Sequence, residues 1–131
     1  MKVESRSARA GSSGQSLAET AVVLPLLLLL VFGIIEFGRV LNAYIIVTNG
    51  AREGARYGAV GYTQAQIINE VNQATASLGP VQVTVTGAGG ARGSQVTVTV
   101  RYNLDIIVPL LSGVILPDPF PVTGTARMRI E

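Results

Sequence analysis

The stretch Leu17 to Ile35 is nineteen residues long and apolar, interrupted only by Glu19 and Thr20. As a helix rising about 1.5 Å per residue it covers roughly 28 Å, close to the about 30 Å of a bilayer's hydrocarbon core. It therefore predicts a membrane-spanning helix. A chain of 131 residues then has room for one small domain beyond the span. Overall the residues are 48% hydrophobic and 14% charged, which suits a chain with part of its length in lipid. A cleaved secretory signal is the rival reading. It would have an apolar core of about 7–15 residues followed by an A-x-A-like site. Instead Glu36-Phe37-Gly38-Arg39 follows, and Leu41-Asn42-Ala43 puts a large Leu at the third position back. Charge does not orient the span. Lys2, Arg6 and Arg9 precede it, and Arg39, Arg52 and Arg56 follow it.

Composition narrows the function classes. There is no Cys and no His, so thiol nucleophiles, disulfides, imidazole bases and His- or Cys-held metals are excluded. The remaining candidates for catalysis are carboxylates, hydroxyls and one Lys in a polar tail, with no acid/base pair marked by spacing. The reading is not an enzyme, with no cofactor. Net charge is +2 and the basic residues are scattered among few aromatic ones, which argues against a nucleic-acid surface.

Residues 1–14 are polar, small and basic and lack the apolar content to fold alone. Beyond the span the helical pattern runs on, with Val40, Leu41, Tyr44, Ile45, Val47 and Thr48 predicted to form an apolar face. Gly50, Gly54 and Gly58 follow at intervals of four, each with Ala after it. Each Gly costs a helix about 1 kcal/mol against Ala. A helix that keeps three is expected to use a smooth ridge for close approach of another backbone. Leu at position 54 is expected to break that packing, and Ala to be tolerated. The bland alternative ends the helix near Gly50 in a Gly-rich loop. A helix over 15–59 would be a rod of roughly 67 Å, half in lipid and half a stem.

Gly61 ends the rod. Thr63-Gln64-Ala65-Gln66 forms a capping box, and Ile67, Ile68, Val71, Ala74 and Leu78 share one face of a second helix that should end at Gly79-Pro80. Val81, Val83 and Val85 alternate with Gln82, Thr84 and Thr86. After a Gly-rich loop, Val96, Val98 and Val100 alternate with Thr97, Thr99 and Arg101. This predicts a hairpin with one buried face. The segment Leu104 to Phe120 is apolar but carries Pro109, Pro117 and Pro119, so it is not one regular element. Its apolar run 106–116 is too short to span a membrane. It reads either as a cover over the sheet or as an exposed patch for partners. A last strand, 121–130, completes a three-stranded antiparallel sheet. The predicted class is α+β: a long N-terminal transmembrane and stem helix, a short second helix and that sheet. The expected divisions are 1–14, 15–59 and 60–131. A domain of about 60 residues buries only about 60% of its unfolded surface, so residues 60–131 need the stem helix in their core.

Gly14 closes the basic tail, and Glu19 stands five residues after it. This resembles the leader junction of type IV prepilins, which are cut after the Gly, so that the new N-terminus and the fifth-residue carboxylate face each other between subunits. The run Gly14-Gln15-Ser16-Leu17-Ala18-Glu19, then Ala21-Val22-Val23-Leu24-Pro25 and a Leu run, then Glu36-Phe37-Gly38-Arg39, then Asn49-Gly50-Ala51-Arg52-Glu53-Gly54-Ala55-Arg56, resembles the TadE-like proteins. These are minor pilins, or pseudopilins, of the tight-adherence branch of type IV pili. The resemblance is strong over 14–60 and weaker at the closing Ala126-Arg127-Met128-Arg129-Ile130-Glu131. The chain departs from the commonest major-pilin pattern in having Thr20, not an aromatic residue, after Glu19.

The resemblance implies a single-pass protein of the bacterial inner membrane with its C-terminal domain extracytoplasmic. It implies cleavage between Gly14 and Gln15 by a prepilin peptidase, and a part in assembling or priming a fibre. The implied partners are the major pilin, other minor pilins, the pilus assembly platform and copies of the chain itself. The chain is too short for the large C-terminal domain of the TadG-like relatives, and longer than the major pilins of this system. The alternative is an uncleaved membrane-anchored extracytoplasmic binding module.

Glu19 is either paired with the amine of Gln15, in its own or an adjacent subunit, or solvated at the headgroup boundary, because a carboxylate in lipid costs several kcal/mol unless paired. Glu36 and Arg39 can pair on one helix face, worth about 0.2–0.5 kcal/mol when exposed, or act as an interfacial anchor. Arg52, Glu53 and Arg56 are candidate partner contacts or a solvated face. Pro25 is expected to kink the span or mark an unwound turn. Glu19, Pro25, Gly50, Gly54 and Gly58 are the candidate assembly residues.

Overall fold

The computed structural model describes residues 10–108 and 111–131, and divides the chain into two units that meet between Ile35 and Glu36. Helix α1, Ala10–Ala59, belongs to both.

In the first unit α1 starts at Ala10, ahead of the expected Gln15, and its side chains from Gly14 onward are almost all exposed. Leu, Val and Ile stand outward around the helix, among them Leu24, Leu27, Leu30 and Ile34. Helical hydrogen bonding continues past Pro25, with no unwound turn there. The hydroxyl of Thr20 donates to the carbonyl of Ser16, 2.9 Å away, which satisfies it inside the helix. By length and composition this helix is able to cross a membrane.

The second unit is α+β, as the sequence predicts. The stem part of α1 is followed by α2 (Gln64–Ala74), a 3-10 turn (Ala76–Leu78) and strands β1 (Gln82–Thr86), β2 (Gln95–Leu104) and β3 (Phe120–Arg129). The sheet is antiparallel in the order β1-β2-β3. Val98 lies opposite both Val85 and Ala126, and Val100 lies opposite Gly124. The alternation of β2 is that of a half-buried strand, with Val96, Val98 and Val100 fully inside and their neighbours outward.

The capping box of α2 forms: the Gln66 amide N–H donates to Thr63 Oγ1 at 3.4 Å, and Gln66 Oε1 accepts from the Thr63 N–H at 3.0 Å. The helix stops before Gly79, at Ala74. Thr75 is buried and its hydroxyl donates back to the Val71 carbonyl at 2.8 Å, and the chain tightens into the 3-10 turn.

The core face of α1 matches the predicted one in part: Val47 is buried and Val40 and Thr48 are half-buried, while Leu41, Tyr44 and Ile45 face outward and small residues, among them Ala43, Ala51 and Ala55, take their place. Small residues occupy the inner face because α2 and the sheet approach it closely. Ile67 and Val71 of α2 and the β2 valines complete that core. Gly124 marks the tightest approach: a Cβ there would lie 2.9 Å from Thr48 Cα, Thr48 N and Val47 C.

Candidate functional site

The residues singled out from sequence fall into three places. At the head of α1, Gly14, Gln15 and Glu19 follow one another along exposed helix. The Gln15 side-chain amide donates to Glu19 Oε1 at 3.1 Å, an i,i+4 contact. Glu19 is thus within reach of residue 15, here through the side chain. Thr20 is on the same turn, and Pro25 lies one and a half turns further along the helix.

The second place is the glycine ridge. Gly50, Gly54 and Gly58 are all buried. They pack closely within the chain, against α2 and β2, chiefly on side chains; the Val71 carbonyl is 4.0 Å from a Cβ on Gly50. A Cβ on Gly50 would meet Thr75 Cγ2 at 2.6 Å, one on Gly54 would meet Val71 Cγ2 at 2.5 Å, and one on Gly58 would meet Val96 Cγ2 at 2.7 Å. The ridge is the seam into which α2 and β2 lay β-branched side chains. This gives the three glycines a role inside the domain. Arg52, on another face, is exposed. Arg56 pairs with Glu53 through Nη2 to Oε1 and Nε to Oε2, and its guanidinium lies 5.0 Å from the centre of the Tyr57 ring. The hydrogen bond from Arg56 holds the Glu53 carboxyl below its ordinary range, and the charge of Arg56 adds to it.

The third place sits at the start of the second unit. Glu36 is 2% exposed, and Arg39 Nη1 lies 2.7 Å from its Oε1. The same nitrogen donates to the Asp105 carbonyl at 3.3 Å. The i,i+3 pair thus forms as its spacing predicts. Glu36 is buried in the domain, and the pair ties α1 to the end of β2. Sequence reasoning missed Asp105 and Gly124. A Gly inside an otherwise β-branched strand, as in Val122-Thr123-Gly124-Thr125, is the available signal for the second. Asp105 contributes a backbone carbonyl, for which residue type carries no signal. Among the described residues no cluster of three acidic, His or Cys side chains is placed to hold a metal.

No curated protein and no solved structure matches the chain. A family model does: residues 14–56 match the family described as TadE-like protein. The match begins at Gly14 and ends at Arg56, so it takes in the apolar run, Gly50 and Gly54 but neither Gly58 nor the sheet. Over residues 14–56 the chain is thus similar to the TadE-like family, in agreement with the motifs that carry the resemblance.

Proposed function

We propose that this protein is a membrane-anchored minor pilin that takes part in assembling or priming a tight-adherence type IV pilus. The observation that carries this reading is the order of parts along residues 14–56. A Gly and a Glu five residues later head an exposed apolar helix, and that helix continues as the core element of a small α+β domain. Activity of such a subunit is assembly. Its apolar helix sits in the inner membrane, and a prepilin peptidase removes residues 1–14 on the cytoplasmic side. Glu19 then sets register against a neighbouring subunit by charge-assisted pairing with a free N-terminus. Pro25 belongs to the same assembling segment. Arg52 remains exposed for carboxylates of the major pilin, another minor pilin or the assembly platform, whereas Arg56 already holds Glu53.

The test is intact mass and N-terminal sequencing of the protein co-expressed with a prepilin peptidase. The expected N-terminus is Gln15, and Gly14→Leu should leave a precursor that keeps the leader. An N-terminus at Met1 under those conditions would support the uncleaved binding module instead. A second arm is Glu19→Ala, which should still insert, because removing a charge from lipid is favourable by about 2.5–3.5 kcal/mol on insertion scales. It should fail to assemble; normal pili from that variant would reduce Glu19 to a boundary residue.

A further inference from the structure

In the second unit, contacts along α1 follow a fixed order. Arg39 binds the Asp105 carbonyl, Gly124 backs onto Val47 and Thr48, Gly54 faces Val98, Gly58 faces Val96, and the Glu131 amide donates to the Ala59 carbonyl at 3.1 Å. The connection from β2 to β3 therefore lies at the Glu36 end of the domain, and the β1–β2 turn lies at the opposite end. Because Glu36 is bonded to Ile35, the β2–β3 connection is at the end of the domain that the apolar run enters.

That connection does not behave as a simple cover. Leu104 and Ile106 are buried and Phe120 is half-buried, but Ile107, Val114 and Ile115 are 68%, 81% and 66% exposed. Between Leu104 and Phe120 the sequence has no Lys or Arg, and its charges are Asp105 and Asp118. Asp118 is drawn to the loop's base, where it accepts from the Ser112 hydroxyl and from the Ile106 amide. The turn at 112–116 satisfies much of its own backbone. Gly113 N–H donates to the Leu116 carbonyl at 2.9 Å, and the Ile115 and Leu116 amides both donate to the Leu111 carbonyl. An apolar tip most of whose neighbouring backbone donors are internally paired enters an apolar medium at reduced cost.

Resting on the membrane-span reading above, we propose that the Val114-Ile115 tip, with Ile107, is a second membrane contact, inserted into the phospholipid surface of the bilayer that the apolar helix crosses. The occupant is lipid because the patch lies at the Glu36 end of its own unit, the end at which the chain passes into the apolar run. It is neutral lipid chemistry because the segment carries no cation of its own and Arg39, at its base, is already paired with Glu36. Side chains of this kind bury to the headgroup–acyl boundary. The contact would hold the domain against the membrane until the subunit leaves it.

The chain has no Cys, so single labels are specific. Full-length Val114→Cys, Phe32→Cys and Ala91→Cys are each labelled with an environment-sensitive fluorophore. Each is placed at one protein per nanodisc of phosphatidylcholine containing nitroxide-labelled lipid. Positions 114 and 32 should be quenched several-fold more than position 91, and added anionic lipid should not change the result. If position 32 is quenched and 114 matches 91, the loop proposal is overturned and the patch belongs to a protein partner. If position 32 is unquenched, the span reading itself fails.

Discussion

Gly54→Ala is the sharpest probe of how this domain is packed. It adds one methyl to the buried side of α1. The new Cβ would lie 2.5 Å from Val71 Cγ2, 3.1 Å from Val98 Cγ1 and 3.3 Å from Ile67 Cγ2. Non-bonded carbons rest at about 3.5–4.0 Å, so the first contact is short by about 1 Å. Val71 is fully buried and its branched side chain has few rotamers, so the methyl does not swing aside. Relief requires moving α2, which Ile67 and Thr75 also hold in the core. Ala favours the helix over Gly by about 1 kcal/mol. Overpacking costs about 1–3 kcal/mol, and clashes with two separate elements put this site in the upper half. The net is a loss of about 1–2 kcal/mol. That reverses the expectation, drawn from the ridge pattern alone, that Ala is tolerated. The assay is pulse proteolysis of the full-length protein in detergent across a urea series. Gly54→Ala should lower the urea midpoint, Gly54→Leu should lower it further, and Val71→Ala should partly rescue Gly54→Ala. The coupling in that double-mutant cycle should be about 0.5–3 kcal/mol. A raised midpoint for Gly54→Ala, with no coupling to Val71, would refute the seam and leave helix propensity as the whole effect.

Gly124→Ala should be worse than Gly54→Ala, because its Cβ would meet the α1 backbone at Val47 and Thr48, which has no rotamer to change; the same proteolysis series should show a lower midpoint. Thr48 Oγ1 is buried without a hydrogen-bond partner among the described residues, so Thr48→Val should raise stability by about 1 kcal/mol, read as an increased urea midpoint. The Glu53 carboxyl, lowered by the hydrogen bond from Arg56, contributes stability that is present above its unfolded value and lost as pH falls through the lower folded value. An NMR titration should place it below the ordinary carboxylate range, and Arg56→Gln should return it there.

Much of the second unit is legible in the sequence because its β elements are two-sided. Val96, Val98 and Val100 alternate with polar residues, and a period of two admits one buried face. Thr63 and Gln66 at the right spacing announce the start of α2. Its end is less legible. Thr75 satisfies its hydroxyl within the helix's own last turn, so α2 closes before the Gly-Pro punctuation. The inner face of α1 is legible only in part, at Val40, Val47 and Thr48. Hydrophobic periodicity weights large side chains, which draws the face toward Leu41, Tyr44 and Ile45. Close packing against α2 and β3 selects small ones, and Ala43, Ala51 and Ala55 carry little hydropathic signal.

The candidate site divides along the same line. Gly14, Gln15 and Glu19 stand out by residue type and spacing, and one helix turn brings Gln15 and Glu19 together regardless of tertiary context. Glu36 and Arg39 have an equally clear i,i+3 spacing, yet their environment depends on Asp105, 66 residues further along the chain from Arg39. Spacing predicts the pair; only the fold decides that it is buried. An exposed pair is worth about 0.2–0.5 kcal/mol, whereas breaking a buried one costs about 3–5 kcal/mol, reduced here because the Arg39 side chain is 33% exposed. Glu36-Phe37-Gly38-Arg39 therefore has a structural use in addition to any family role. It places the first charge after the apolar run inside the domain, where it fixes the end of β2 and with it the base of the apolar β2–β3 connection.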